Sequence, residues 1–532
     1  MGQRGVFARE ATGIVREVSA IGATMSNIQV AGLGIAGFYM FMSTAWLWPG
    51  WDIPTFYLIV FVPIALQSIM YVIMGTQYPR SGGDYVWTSR ILHPAIGFAM
   101  NWMYMLMLMM YVGGFADYVV AGGFSAFFTY GGQIYQSAEW ATMASLLSQP
   151  MYRFSIGLVF IIIVGAILVI GIKWAMRVTV ALFLVGIVTF AAQLYVFATT
   201  SQDAFIQAFN SSYGQYMTYD QIIAKARELG FVIAPTLGGA FAILAGGWET
   251  NCGYLYSTYY AGEIRQVRRS VPISVLGTIA ISTTGYALAS YLFQRSVGYQ
   301  FITASFYLFY AHPGAWTIPV AADPYIYALI ASGFNPTFGF LIPLNVVIWY
   351  TALILSNWIA ISRCVLAWSF DRILPTRLSA VNERFHTPHY AILFSGIIVT
   401  LGLLFSSSYA MILAGLNFRT TALIALVIPG IAALGFPRLR KDLYERADIV
   451  KKYKLGPFPL VSVLGLFVVA FFGTTFAVVA TRPEFGGPSN MVVWLGIVAL
   501  FGSAIVIYYI SKMYWQRKGI DLALLFKEIP PE

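Results

Sequence analysis

The sequence predicts an all-α integral membrane protein with 12 transmembrane helices. Helices 1–5 and 6–10 form a 5+5 inverted repeat, helices 11 and 12 follow, and helices 1 and 6 are broken. Three observations predict this. Hydrophobic residues make up 59% of the 532-residue chain and charged residues 10%, whereas a soluble domain uses about 25% charge to coat its surface. The mean hydropathy is +0.73, and the apolar residues fall into runs of about 20, the length that crosses a bilayer core of about 30 Å. The basic residues gather on one side of those runs. Together these features exclude a soluble enzyme, a disordered scaffold and a nucleic-acid-binding protein.

In chain order, residues 1–26 carry Arg4, Arg9, Glu10, Arg16 and Glu17 ahead of any long apolar run. That reads as a cytoplasmic segment and not as a cleavable leader. Runs at 27–48, 55–76, 95–123, 152–171 and 175–199 give helices 1–5 and a first repeat over 27–199. An extracellular loop, 200–231, leads to runs at 232–259, 272–293, 338–361, 389–406 and 410–434, the second repeat over 232–434. A basic cytoplasmic loop, 435–457, precedes helices 11 and 12 at 458–480 and 490–512, and 513–532 is a cytoplasmic tail. Membrane strands would alternate in polarity over about ten residues, and these runs are apolar throughout.

Alternating the connections tests this order, because cytoplasmic loops carry the excess of Lys and Arg. With the N-terminus inside, 25 of the 31 basic residues fall inside. Arg153, Lys225, Arg227, Arg295 and Arg482 fall outside, and Arg419 lies within a span. Both termini are then cytoplasmic in a multi-pass cell-membrane protein, and the net charge of +10 reads as orientation and contact with anionic lipid headgroups. Cys252 and Cys364 both fall at apolar segments, which implies no disulfide framework. His93, His312, His386 and His389 lie in or beside polar connections, so the bilayer holds no histidine ligands for haem or copper.

Gly-interrupted spans at matching places in two halves point to a transport site. The first run contains Ala31-Gly32-Leu33-Gly34-Ile35-Ala36-Gly37, and the sixth contains Gly238-Gly239 and Ala245-Gly246-Gly247-Trp248-Glu249. Close helix packing is the other reason for such glycines. At a break, free amides attract a carboxylate and free carbonyls attract an ammonium or a metal cation. A zwitterionic amino acid fits that pair of ends.

Three stretches resemble the amino acid–polyamine–organocation superfamily of transporters. Tyr78-Pro79-Arg80-Ser81-Gly82-Gly83-Asp84-Tyr85 is similar to its P-x-x-G-G-x-Y signature. Gly246-Gly247-Trp248-Glu249, Ala261-Gly262-Glu263-Ile264 and Arg269-Ser270-Val271-Pro272 resemble the sixth helix and its exit. Ser362-Arg363, Asp371 to Pro375 and Thr387-Pro388 resemble the loop after the eighth. The resemblance implies the leucine-transporter fold, with substrate between helices 1, 3, 6, 8 and 10 and alternating access. By position it implies that Gly32, Gly34 and Gly37 present backbone to a carboxylate. Ala245, Gly246 and Gly247 would offer carbonyls to an amine, and Trp248 would close over the substrate. The family's G-S-G-I is here Gly-Leu-Gly-Ile-Ala-Gly, so no serine hydroxyl is present to assist. The lysine that some proton-coupled members carry in helix 5 is replaced near Gly186. Sodium coupling would use carbonyls of helix 1 and a hydroxyl of helix 8, for which Ser356 is the candidate unless it only bonds its own backbone.

Three ionisable residues lie well within the runs: Asp117, Glu249 and Arg419. Each would cost about 2.5–3.5 kcal/mol at the bilayer centre, which makes each a functional hypothesis. Asp117, near the outer end of helix 3, reads first as part of a structural ion pair. Glu249 adjoins the expected break, where it would bind a cationic amine or carry a proton. Arg419 would pair with Glu249 or Asp117 as an outer gate, or else hold a substrate carboxylate. The expected function is a secondary amino-acid transporter, with a polyamine or organic-cation carrier of the same family as the alternative. The substrate is an amino acid or amine, the coupling ion H+ or Na+, and no cofactor or bound metal is expected. A ligand-sensing receptor would need an appended signalling domain, and no acids and histidines form the constellation of an enzyme.

Overall fold

A computed structural model describes residues 14–408, 418–482 and 491–527. Arg4, Arg9, the expected start of helix 10 at 410–417, residue 490 and the tail beyond 527 lie outside the described residues.

Ser19 caps α1 (Ala20–Ala31), its hydroxyl accepting from the Gly22 amide at 3.1 Å. α1 stops at Gly32, whose φ of 67° lies in the left-handed region that glycine enters without a Cβ penalty. α2 (Leu33–Met40) starts beyond it and runs into a π-helical stretch, Phe41–Ala45. α3 (Ile53–Gln77) opens at an Asp52 cap with Pro54 in its first turn. The short α4 (Asp84–Ile91) leads to α5 (Pro94–Tyr118), joined through a π-helical stretch, Val119–Phe124, to α6 (Ser125–Tyr135). α7 (Pro150–Ile170) and α8 (Ile172–Thr199) complete the first half.

The connection after α8 is helical: α9 (Gln202–Tyr213) and α10 (Tyr219–Glu228). Thr218 and Gln221 form a capping box at the start of α10, which is why this segment folds where a loop was expected. Next come α11 (Leu237–Asn251), α12 (Val267–Val297), α13 (Tyr299–Ala311), α14 (Pro324–Ala331) and α15 (Pro336–Phe370). α16 (His389–Ser408), α17 (Phe418–Leu439), α18 (Leu460–Ala480) and α19 (Met491–Arg517) end the chain. Between α17 and α18, β1 (Lys454–Leu455) and β2 (Phe458–Pro459) pair as a small antiparallel hairpin.

Eleven helices among the described residues are long and apolar enough to cross a membrane. They are α1–α2 together, α3, α5–α6 together, α7, α8, α12 and α15 to α19. The expected span 232–259 is the difference. No helix forms over 231–236, and α11 has 15 residues, about 22 Å of rise. A 3-10 turn, Cys252–Leu255, and one α-turn, Tyr256–Tyr259, then finish the segment. The departure from α geometry in this segment therefore lies after Asn251. Ala245, Gly246 and Gly247, where it was expected, sit inside an intact helix, because the two glycines let α11 pack closely on its neighbours instead of unwinding it.

α1 packs against α12 and α15, α15 against α8, α12 against α3, α16 against α5 and α17 against α18. Both ends of the described chain lie on one face. There the Val18 amide donates to the Glu263 carbonyl at 2.9 Å, and Arg440 donates to the carbonyls of Arg90 and Phe526 at 2.5 and 3.3 Å. Aromatic residues of α9, α13 and α14 stack into a cap on the opposite face, with Phe209 and Phe301 centroids 4.9 Å apart.

Candidate functional site

The candidate site begins at the Gly32 interruption. A cavity of about 560 Å³ runs from Gly32 along α15 to the connection before α14. Its deep end is walled by Ala31, Gly32, Thr250, Cys252, Tyr256 and Asn357, and its mouth by Pro319, Val320 and Asp323. Both irregular segments thus contribute to one chamber. No side chain caps the amides that open α2, which leaves that helix start able to receive an anionic group. Asn357 is 1% exposed. Its Nδ2 donates to the Leu353 carbonyl at 2.7 Å, while its Oδ1 has no partner, an acceptor held ready at the base of the cavity.

The sequence-predicted residues divide. Gly32 and Glu249 line the cavity. Gly34 does not: a Cβ there would collide with the Trp349 indole, and its carbonyl accepts from Asn345 Nδ2 at 2.8 Å. Gly37 faces α12, where a Cβ would come within 2.9 Å of Ala289. These two glycines serve close packing. In α11, Ala245 is buried, Gly246 faces Thr44 and Gly247 faces Val60. Trp248 is buried against Phe472 of α18 and does not line the large cavity, so it makes no lid in this structure. The intact helix fixes the indole about 100° around the axis from Glu249, which turns it away from the chamber.

Glu249 and Arg419 are brought together. Arg419 donates from Nε and Nη2 to Glu249 Oε2 at 3.0 and 2.8 Å, joining α11 to α17. Their side chains are 16% and 11% exposed. Asp117 instead pairs with Arg153, whose Nε donates at 2.7 Å, and accepts from the Ser406 hydroxyl at 2.7 Å. It ties α5 to α7 and α16. The Ser356 hydroxyl donates to Gln29 Oε1 at 3.1 Å, and Gln29 Nε2 donates to the Thr179 carbonyl at 2.6 Å. An amide side chain, not a set of helix 1 carbonyls, meets the serine.

Below Asn357 the molecule is closed. The Tyr104 and Tyr256 hydroxyls lie 3.2 Å apart. Beneath them Asp84 accepts from Tyr71, Tyr259 and Asn101 at 2.9, 3.1 and 3.2 Å. Burial pushes its carboxyl up to about 6, against the pull of those hydrogen bonds. Two buried ion pairs complete the seal: Arg90 on Asp371 at 2.7 and 2.8 Å, and Arg363 on Glu263 at 2.5 and 3.0 Å. The acids and bases of the motif stretches therefore close one face. Sequence reasoning missed Asn357, Asp323 and this role of Asp84. An asparagine inside an apolar run was a visible signal for the first, and Asp-Pro opening a helix for the second.

A family model described as amino acid permease matches residues 27–521. A comparison with curated proteins found no match.

Proposed function

The chain belongs to the amino acid permease family, and from that footing we propose that it moves amino acids across the cell membrane by alternating access. It is a carrier in this reading, with no covalent chemistry of its own. One observation carries the proposal: a single cavity has the Gly32 interruption, the irregular segment after Asn251 and the unpartnered Asn357 oxygen at its base. The uncapped amides of α2 suit the carboxylate of a zwitterion, and the Asn357 oxygen suits its ammonium. Open at one face and sealed at the other by Asp84 and two ion pairs, the arrangement supports a state that faces away from the termini. The basic residues at the sealed face favour cytoplasmic termini.

In the proposed cycle, the Glu249–Arg419 pair is the outer gate, joining α11 to α17 above the substrate. If protons are the coupling ion, Glu249 is the first carrier to test. Sodium coupling through Ser356 has less support, since Gln29 occupies its hydroxyl. The test is counterflow into proteoliposomes holding the purified protein, using the proteinogenic amino acids in turn, with and without sodium and across pH. Accumulation of at least one labelled amino acid against its unlabelled form is expected. Failure of every one to exchange would refute the proposal.

A further inference from the structure

The lining of the cavity has a sign. Among the described residues no lysine, arginine or histidine lines it, while two carboxylates do, Glu249 and Asp323. Glu249 is neutralised by Arg419. Asp323 has no basic partner among the described residues. Its Oδ1 accepts from the amides of Tyr325 and Ile326 at 2.7 and 3.4 Å, capping α14, and its Oδ2 accepts from neither. Burial raises this carboxyl to about 6, against the pull of those two amides. One uncompensated negative charge thus stands at the mouth of a largely apolar chamber.

What surrounds that charge favours a cation. Tyr130, Tyr325 and Tyr350 line the cavity and each is close enough to feel the charge of Asp323, and Tyr118 stacks on Tyr350 with centroids 5.4 Å apart. Aromatic faces attract ammonium and guanidinium groups. The cavity is also long. Val346 and Asn357 both line it from α15, and 11 helical steps of about 1.5 Å separate them by about 16 Å. The head group of an amino acid spans about as much as one extended residue, about 3.5 Å. The chamber therefore has room for a long side chain beyond the head group.

We infer that the cavity takes an amino acid with a positively charged group at the end of a long side chain. Asp323 and its tyrosines meet that group on its way to Gly32 and Asn357. The inference rests on the proposed transport function and names its substrate class. A zwitterionic head adds no net charge and a cationic side chain adds one, so the occupied cavity is neutral. Asp323 as a helix cap alone would explain its two amide contacts. It would not explain why, among the described residues lining the cavity, the carboxylate without a basic partner lies beside three tyrosines.

The test uses Asp323→Asn, because asparagine caps a helix as well as aspartate does and removes only the charge. Binding to the purified full-length protein is measured by thermal shift and by competition with a labelled substrate. Lysine and arginine are set against their neutral analogues norleucine and citrulline, with cadaverine as the amine lacking a carboxylate. In the wild type, the cationic acids should bind at least about tenfold more tightly than the neutral ones. Asp323→Asn should lose about tenfold for lysine and arginine and leave citrulline unchanged. Equal binding of neutral and cationic acids, or an unaltered lysine affinity in Asp323→Asn, overturns the inference while leaving amino-acid transport standing. Cadaverine binding as tightly as lysine overturns the requirement for an amino-acid head group. If no amino acid binds, the transport reading falls and this inference with it.

Discussion

Asn27 holds Ser257 by two hydrogen bonds across the two irregular segments. Asn27 Nδ2 donates to the Ser257 hydroxyl at 3.0 Å, and the Ser257 amide donates to Asn27 Oδ1 at 2.8 Å. The same Nδ2 reaches the Tyr254 carbonyl at 3.0 Å. One side chain therefore satisfies backbone groups that the 3-10 turn leaves without helical partners, and it yokes α1 to the exit of α11. Asn27→Leu should remove these bonds and leave buried backbone groups unpaired, at about 1–3 kcal/mol each. A clear fall in the melting temperature of the detergent-purified protein is expected. An unchanged melting temperature would show that the yoke contributes nothing.

The Glu249–Arg419 pair predicts a separation of folding from transport. Glu249→Gln should abolish or uncouple uptake while the protein still elutes as a folded species. Breaking a fully buried pair costs about 3–5 kcal/mol, and partial exposure of both side chains makes the loss smaller here. The double variant Glu249→Gln with Arg419→Gln should recover thermal stability but not uptake. Wild-type, pH-independent uptake in Glu249→Gln would remove this carboxylate from the mechanism.

Two neighbouring glycines should fail differently. Gly34→Ala forces a Cβ into the Trp349 indole, and such overpacking costs about 1–3 kcal/mol. Its main effect is lower stability, partly relieved by Trp349→Phe. Gly32→Ala pays about 1–2 kcal/mol for a left-handed residue with a Cβ, and it also alters the helix start that faces the cavity. Its affinity for substrate should fall by more than its stability accounts for. Identical profiles for the two variants would contradict the assignment of one glycine to packing and the other to the site.

Asp84 predicts a pH dependence with a definite sign. Its carboxyl is raised from the ordinary 3.8 to about 6 in the folded protein, so the fold binds this proton more tightly than the unfolded chain does. The stabilisation is full below 3.8 and is lost as pH rises through about 6, roughly 3 kcal/mol in all. Asp84→Asn keeps the shape and removes the titration. The melting temperature of the wild type relative to Asp84→Asn should therefore fall between pH 4 and pH 7. A constant difference across that range would refute the assignment.

The spans were legible because length in an apolar run measures bilayer thickness directly, and among Gly32, Gly34 and Gly37 the positive φ falls at Gly32. Gly246 and Gly247 misled for a physical reason. Glycine serves unwinding and close helix contact equally well, and only the neighbours, Thr44 and Val60, decide which. The irregular turn came instead at Cys252–Leu255, where Asn27 supplies the missing hydrogen bonds from another part of the chain. No local sequence signal carries that information. Glu249 and Arg419 stood out in the sequence because charges are rare inside the runs, which left Glu249 or Asp117 as the partner of Arg419. Asn357 was passed over because it is polar without being ionisable, and Asp323 because its partner helix, α14, lay in a stretch read as a connection.

The open cavity above Gly32 has an electrical consequence. Solvent reaching that depth would short out part of the insulating layer, so a membrane voltage would drop mainly across the sealed portion holding Asp84 and the two ion pairs. A charge crossing the full field exchanges about 2.3 kcal/mol per 100 mV. If the cargo is cationic, it would collect little of that while docking, and nearly all of it when the sealed portion yields. Voltage should then set how fast the carrier turns over and leave almost untouched how tightly it holds its load.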